Sequence, residues 1–154
     1  MNTTPENEKN SRIEPSDGST KRKILIVDDE VAFTSVVKLT LEMKKNYDVC
    51  VEIDPRFAIT TALRFEPDII IMDVIMPEMN GGELYTLFKA NRSLRNIPII
   101  FLTAFVRRQD VVENNGLIGE RSNIAKPIDA DELIKAMEER VRSSVMQRCA
   151  HSGT

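Results

Sequence analysis

Asp28-Asp29-Glu30, Asp73, Thr103 and Lys126 are the side chains of this sequence whose types and positions could do chemistry. Each follows a short apolar run: Ile24 to Val27, Ile69 to Met72, Ile99 to Leu102, and the weaker Asn123 to Ala125. Three adjacent acids repel one another unless a cation or a basic side chain neutralises them. Glu30 suits the first turn of a following helix, where the helix dipole favours a carboxylate. Asp28 and Asp29 are then left to hold a cation. Asp73 ends a run dense enough for a strand buried on both faces, which places its carboxylate where open α/β sheets form their ligand crevice. A purely structural reading competes: Asp73 would pair with Lys126 in a salt bridge, and Thr103 would be an ordinary β-branched strand residue.

The elements that must position these groups alternate. After the Ile24 strand, Phe33, Val36, Val37, Thr40 and Leu41 recur at helical spacing between Val31 and Lys45. Tyr47 to Ile53 alternates like a strand with one wetter face. Asp54-Pro55 predicts an N-cap, and a helix to Phe65 burying Ala58, Ala62 and Leu63, ended by Pro67. Pro77 and Asn80-Gly81-Gly82 force a turn, and Asn80 with Glu83 forms a capping-box pattern ahead of Leu84, Leu87 and Phe88. Beyond the Ile99 strand, Val106 to Leu117 predicts a short, soft helix interrupted by Asn114-Asn115-Gly116. Lys126-Pro127 closes a brief last strand. Asp129 with Glu132 predicts a second capping box, before a stripe of Leu133, Ile134, Met137, Val141 and Val145. Five strand–helix units argue for a three-layer α/β fold with a parallel sheet. All the polar residues above would then gather on one carboxyl edge.

Composition sets the limits. With 154 residues, 42% hydrophobic and 29% charged, the chain holds one globular domain with a proper core. Residues 1–20 read as a flexible leader, 21–146 as the domain and 147–154 as a flexible tail that includes the single histidine, His151. The net charge of −3 gives no reason to expect nucleic acid or an anionic membrane as a partner. Lys21-Arg22-Lys23 is read as a solvated strand edge. Cys50 and Cys149 lack metal-ligand spacing, Cys50 reading as a core residue and Cys149 as an exposed one. No apolar stretch approaches the ~20 residues of a membrane span, and no secretory signal pattern is present. The expected compartment is the cytoplasm.

Val27-Asp28-Asp29, Met72-Asp73 through Met76-Pro77 with Asn80-Gly81, Leu102-Thr103-Ala104 and Lys126-Pro127 together resemble the receiver domain of two-component response regulators, over about Lys23 to Arg142. The resemblance implies a doubly wound (βα)5 flavodoxin-like fold, strand order 2-1-3-4-5. With no recognisable output domain after the final helix, the chain reads as a stand-alone receiver of the chemotaxis-regulator kind or as a piece of a longer protein. It implies that Asp73 takes a phosphoryl group as an acyl phosphate. Asp29 and Asp73 would give carboxylate oxygens to Mg²⁺, Asp28 would act through bound water, and the main-chain carbonyl of Ile75 would be a further ligand. Lys126 would sit on the acceptor carboxylate and then on a phosphoryl oxygen, Thr103 would donate its hydroxyl to another, and a cis peptide would precede Pro127. The implied partners are a sensor histidine kinase or histidine phosphotransfer protein and a downstream protein, the chain being a monomer or weak dimer. Phosphorylation would shift the segment from Val106 to Arg142 between two states, with Val111 to Gly119 as the soft element.

Two departures from the family stand out. The aromatic it often carries three residues before the lysine is Asn123 here, with Phe105 as a possible substitute. Ile75 and Phe105 are apolar at the positions flanking the phosphoryl pocket, which would restrict an attacking water. A phosphatase using an aspartyl phosphate would carry a second acid two residues after the nucleophile, where Ile75 stands. A degenerate receiver acting only as a protein-binding scaffold is the remaining alternative.

Overall fold

The computed structural model describes residues 20–104 and 123–151. Five strands form one parallel sheet in the order β2-β1-β3-β4-β5, as the resemblance implied. They are β1 (Arg22–Val27), β2 (Tyr47–Glu52), β3 (Ile69–Asp73), β4 (Ile99–Thr103) and β5 (Asn123–Ala125). The described helices are α1 (Val31–Met43), α2 (Ala58–Phe65, entered through a 3₁₀ turn over Pro55–Phe57), α3 (Gly81–Ala90) and α4 (Ala130–His151). The soft helix expected between Val106 and Leu117, with Phe105, lies outside the described residues.

The apolar runs are strands because both of their faces are covered. Alternate residues of the central strands enter two separate cores. Leu25, Val27, Ile70, Met72, Ile99 and Phe101 pack with Ala58 and Ala62 of α2 and Leu84 and Phe88 of α3. Ile24, Ile26, Ile69, Ile71, Ile100 and Leu102 pack with Val37 and Leu41 of α1 and Leu133 and Met137 of α4. Every residue of β3 and β4 is buried. Burying each such aliphatic side chain contributes about 1.5–3 kcal/mol, so this double layer fixes the strand register and with it the strand ends.

Several expected contacts fall elsewhere. On α1 the core face runs through Thr34, Val37 and Leu41, and Val36, one residue out of phase, is exposed. Leu63, Leu87 and Val145 likewise face outward. Cys50 is half-buried against the first core, and Cys149 is exposed. Helix α2 ends on Glu66, which adopts the left-handed conformation (φ 54°) just before Pro67. Asp129 accepts from the Asp131 N–H at 2.7 Å, two residues on, in place of the box with Glu132. Helix α4 continues to His151, so the stretch from Gln147 to His151 is helical and not a frayed tail.

The Asn80–Glu83 capping box is formed in full, with bonds of 2.9 and 3.0 Å. It fixes where α3 starts, and the next residue is pressed onto the end of β3. The Gly81 N–H bonds the Val74 carbonyl at 2.9 Å. A Cβ at Gly81 would lie 2.6 Å from the Asp73 carbonyl oxygen and 3.0 Å from the Val74 Cα. The glycine is therefore required by a close approach of two backbones, not only by a turn. Gly81→Ala is expected to cost about 1–3 kcal/mol through overpacking, read as a lower urea midpoint with an unchanged m-value.

Candidate functional site

The sheet register brings the acids together. Val27 of β1 is opposite Met72 of β3, so the next residues, Asp28 and Asp73, leave the sheet side by side. Asp73 is opposite Leu102 and Thr103 is opposite Ala125, and the Lys126 N–H bonds the Thr103 carbonyl at 2.8 Å. Strand pairing alone therefore carries Asp28, Asp73, Thr103 and Lys126 to one edge, with Asp29 one residue beyond Asp28.

Asp28, Asp73 and Thr103 are buried and Asp29 is exposed. One carboxylate oxygen from each of Asp28, Asp29 and Asp73 lies within 4.8 Å of the others. The Lys126 ammonium reaches Asp28 Oδ2 at 2.5 Å, Asp73 Oδ2 at 3.5 Å and Glu30 Oε2 at 3.6 Å. Its nearest partner is thus Asp28 rather than the expected Asp73, because the wholly buried Asp28 carboxylate has no solvent to offset its charge. The other Asp28 oxygen accepts the Glu30 N–H at 2.9 Å. Among the described residues, Asp73 Oδ1 accepts only a long bond from the Ile75 N–H, 3.3 Å. Asp73 is therefore the less committed of the two buried carboxylates.

Charge follows geometry. Burial, then the neighbouring Asp28 carboxylate, pushes the Asp73 carboxyl above its ordinary range, and Lys126 only partly opposes this. Burial works against the Lys126 ammonium, but Asp28, Asp73 and Glu30 together outweigh it and hold its pKa above the ordinary lysine value.

The residues fit a hard divalent cation. Three carboxylates against one ammonium leave two negative charges in excess, and every candidate ligand atom is oxygen. Both Asp28 oxygens are already engaged, one by the Glu30 N–H and the other by the Lys126 ammonium.

Phe33, one of the α1 residues at helical spacing, has its ring 4.2 Å from the Lys126 ammonium. The signal that could have found it is helical phase, since Phe33 stands one turn beyond Asp29. Ile75 stands at the rim, 67% exposed. Asn123 begins β5 opposite Phe101. The Lys126–Pro127 peptide is cis.

Removing the Asp73 charge should stabilise the metal-free protein at neutral pH. For an acid whose folded pKa is raised, the penalty is full above the folded pKa and vanishes as pH falls below the unfolded one. Asp73→Asn is expected to raise the unfolding free energy at pH 7 by more than the ~0.5 kcal/mol scatter of surface substitutions. The gain should disappear on acidification through the Asp73 pKa, as followed by urea titrations across pH.

Residues 24–138 match the family model for the response regulator receiver domain. Among solved structures, the chemotaxis response regulator CheY4 of Vibrio cholerae is 28% identical with a TM-score of 0.68, covering 78% of this chain and 98% of that one. The signal receiver domain of a signal transduction histidine kinase from Syntrophus aciditrophicus is 32% identical with a TM-score of 0.69, covering 79% and 91%. Among curated relatives, the response regulator ArlR of Staphylococcus saprophyticus is 36% identical over 121 residues, 78% of this chain and 52% of that protein. The DNA-binding dual master transcriptional regulator RpaA of Synechocystis is 28% identical over 132 residues, 84% and 54%. The chain thus spans about half the length of the curated relatives it matches. With its receiver sheet order and its acid–lysine edge, the chain belongs to the response regulator receiver domain family.

Proposed function

We propose that Asp73 is the phosphoryl acceptor of a two-component relay, taking the group from a sensor histidine kinase or a histidine phosphotransfer protein. The observation that carries this is the least committed buried carboxylate, Asp73, beside a cation-deficient acid pair and within reach of Lys126. An Asp73 carboxylate oxygen attacks phosphorus, the phosphorus–nitrogen bond of the donor phosphohistidine breaks, and the imidazole leaves as the acyl phosphate forms. Such transfer depends on positioning and charge neutralisation more than on protein acid–base chemistry.

Asp29, Asp73 and the main-chain carbonyl of Ile75 would hold Mg²⁺ directly, with Asp28 acting through water. Bound there, Mg²⁺ supplies neutralisation of the phosphoryl oxygens. Lys126 releases its weaker contact with Asp73 to a phosphoryl oxygen while Asp28 and the Phe33 ring keep it in place. Thr103 gives its hydroxyl to another phosphoryl oxygen. Ile75 at the rim limits water approach, and with Asn123 at the usual aromatic position Phe105 substitutes for that aromatic in coupling the site to a downstream protein. In this reading the domain acts in the cytoplasm and signals by changing which protein it binds, its net charge of −3 giving no reason to expect nucleic acid as that partner.

Incubation with Mg²⁺ and acetyl phosphate, followed by intact mass, should show one phosphoryl adduct that is acid-stable and base-labile. Asp73→Asn should show none. Absence of the adduct in the wild type, together with no binding of beryllofluoride, would sink the relay reading and favour the scaffold. In the same assay Ile75→Gln, with Phe105→Gln, should shorten the adduct lifetime severalfold, and an unchanged decay would remove Ile75 and Phe105 from that role.

A further inference from the structure

At the opposite edge of the sheet from Asp73, a cleft of ≈ 560 Å³ opens beside Pro98, just ahead of β4, between the end of α3 and the outer face of α4. Lys89, Arg95, Arg140 and Arg148 line it, with Ile97 and Pro98 as an apolar wall, and no carboxylate is among the described residues lining it. In a chain of net charge −3, four cations facing one concavity are not a general surface bias. Like charges so gathered repel, and a bound anion would lower that cost.

The side chains are also held in place. The Lys89 ammonium bonds the Arg95 carbonyl at 2.9 Å and lies 5.2 Å from the Tyr85 ring. An Arg148 Nη2 bonds the Asn96 carbonyl at 3.1 Å. Arg140 is different: its Nε is buried with no hydrogen-bond partner among the described residues. A buried guanidinium donor left unmet costs free energy that a bound acceptor would recover. Burial, and after it the nearby Arg140 charge, holds the Lys89 pKa below its ordinary value.

We propose that this cleft is a binding site for a multiply charged phosphate ester of about nucleotide size, with Arg140 as its central ligand and Arg95 and Lys89 closing on the phosphates. Arginine's planar fork suits phosphate oxygens. The volume falls within the usual range for small-ligand sites, and the Ile97–Pro98 wall suits an apolar or aromatic moiety beside the charge. Concavity favours a small ligand over a nucleic-acid duplex, whose backbone meets convex or flat basic surfaces. The site shares no residue with the phosphoacceptor edge.

The test is isothermal titration of the full chain, in metal-free buffer, with inorganic triphosphate and with ADP as probes. Saturable one-to-one binding is expected for both, tighter for ADP if the apolar wall contributes. Arg140→Gln should weaken it about tenfold or more, Arg95→Gln should weaken it less, and Asp73→Asn should leave it unchanged. Thermal unfolding of each variant separates a lost ligand from a lost fold. The proposal is overturned if a folded wild type shows no saturable binding, if Arg140→Gln binds as well as wild type, or if a DNA duplex displaces both probes at lower concentration than either binds.

Discussion

The constraint on which the structure depends is the crowding of carboxylates at the end of a buried sheet. Asp28 and Asp73 leave β1 and β3 side by side because Val27 and Met72 are register partners, and that register is set by two apolar cores. Two buried carboxylates at such a separation repel by several kcal/mol at an effective dielectric of about 20. Lys126, arriving at the end of β5, is the neutralising group, and it binds the carboxylate that has no water. The result is asymmetry: Asp28 is engaged on both oxygens, while Asp73 keeps one oxygen weakly held and the other loosely bonded. The proposed nucleophile needs that freedom.

How much of this was legible in the sequence depends on what kind of signal a residue leaves. Asp28, Asp73 and Thr103 were legible because each ends an apolar run, and a parallel sheet sends such ends to one edge. Lys126 was legible only through the alternation of earlier elements, since β5 is three residues long. The strand order came from the family resemblance, not from patterning. Val36 and Val37 differ by one step on a helix, and an adjacent pair of valines does not say which of them the sheet covers. Helical spacing placed Phe33 on α1 but carried no sign of the tertiary contact that sets its ring beside the Lys126 ammonium. Gly81 looked like turn chemistry, whereas the structure needs it for the approach of α3 to β3. The basic cleft drew no notice because its four cations are scattered from Lys89 to Arg148 and meet only where α3 and α4 approach.

Helix α4 ties the two ends of the molecule. Leu133 and Met137 pack beneath β1 and β3, while its later turns turn outward to line the cleft and carry exposed Val145 and Met146. The helix thus has one part in the core beneath the acids and another in contact with solvent.

Asp73, and neither Asp28 nor Asp29, is proposed to carry the phosphoryl group. Borohydride reduces an acyl phosphate to the corresponding alcohol, which would convert the acceptor aspartate to homoserine and allow peptide mass mapping to locate it. The account predicts homoserine at position 73 alone after phosphorylation with acetyl phosphate and Mg²⁺. Homoserine at position 28 or 29, or none in protein shown to carry phosphate, would contradict it.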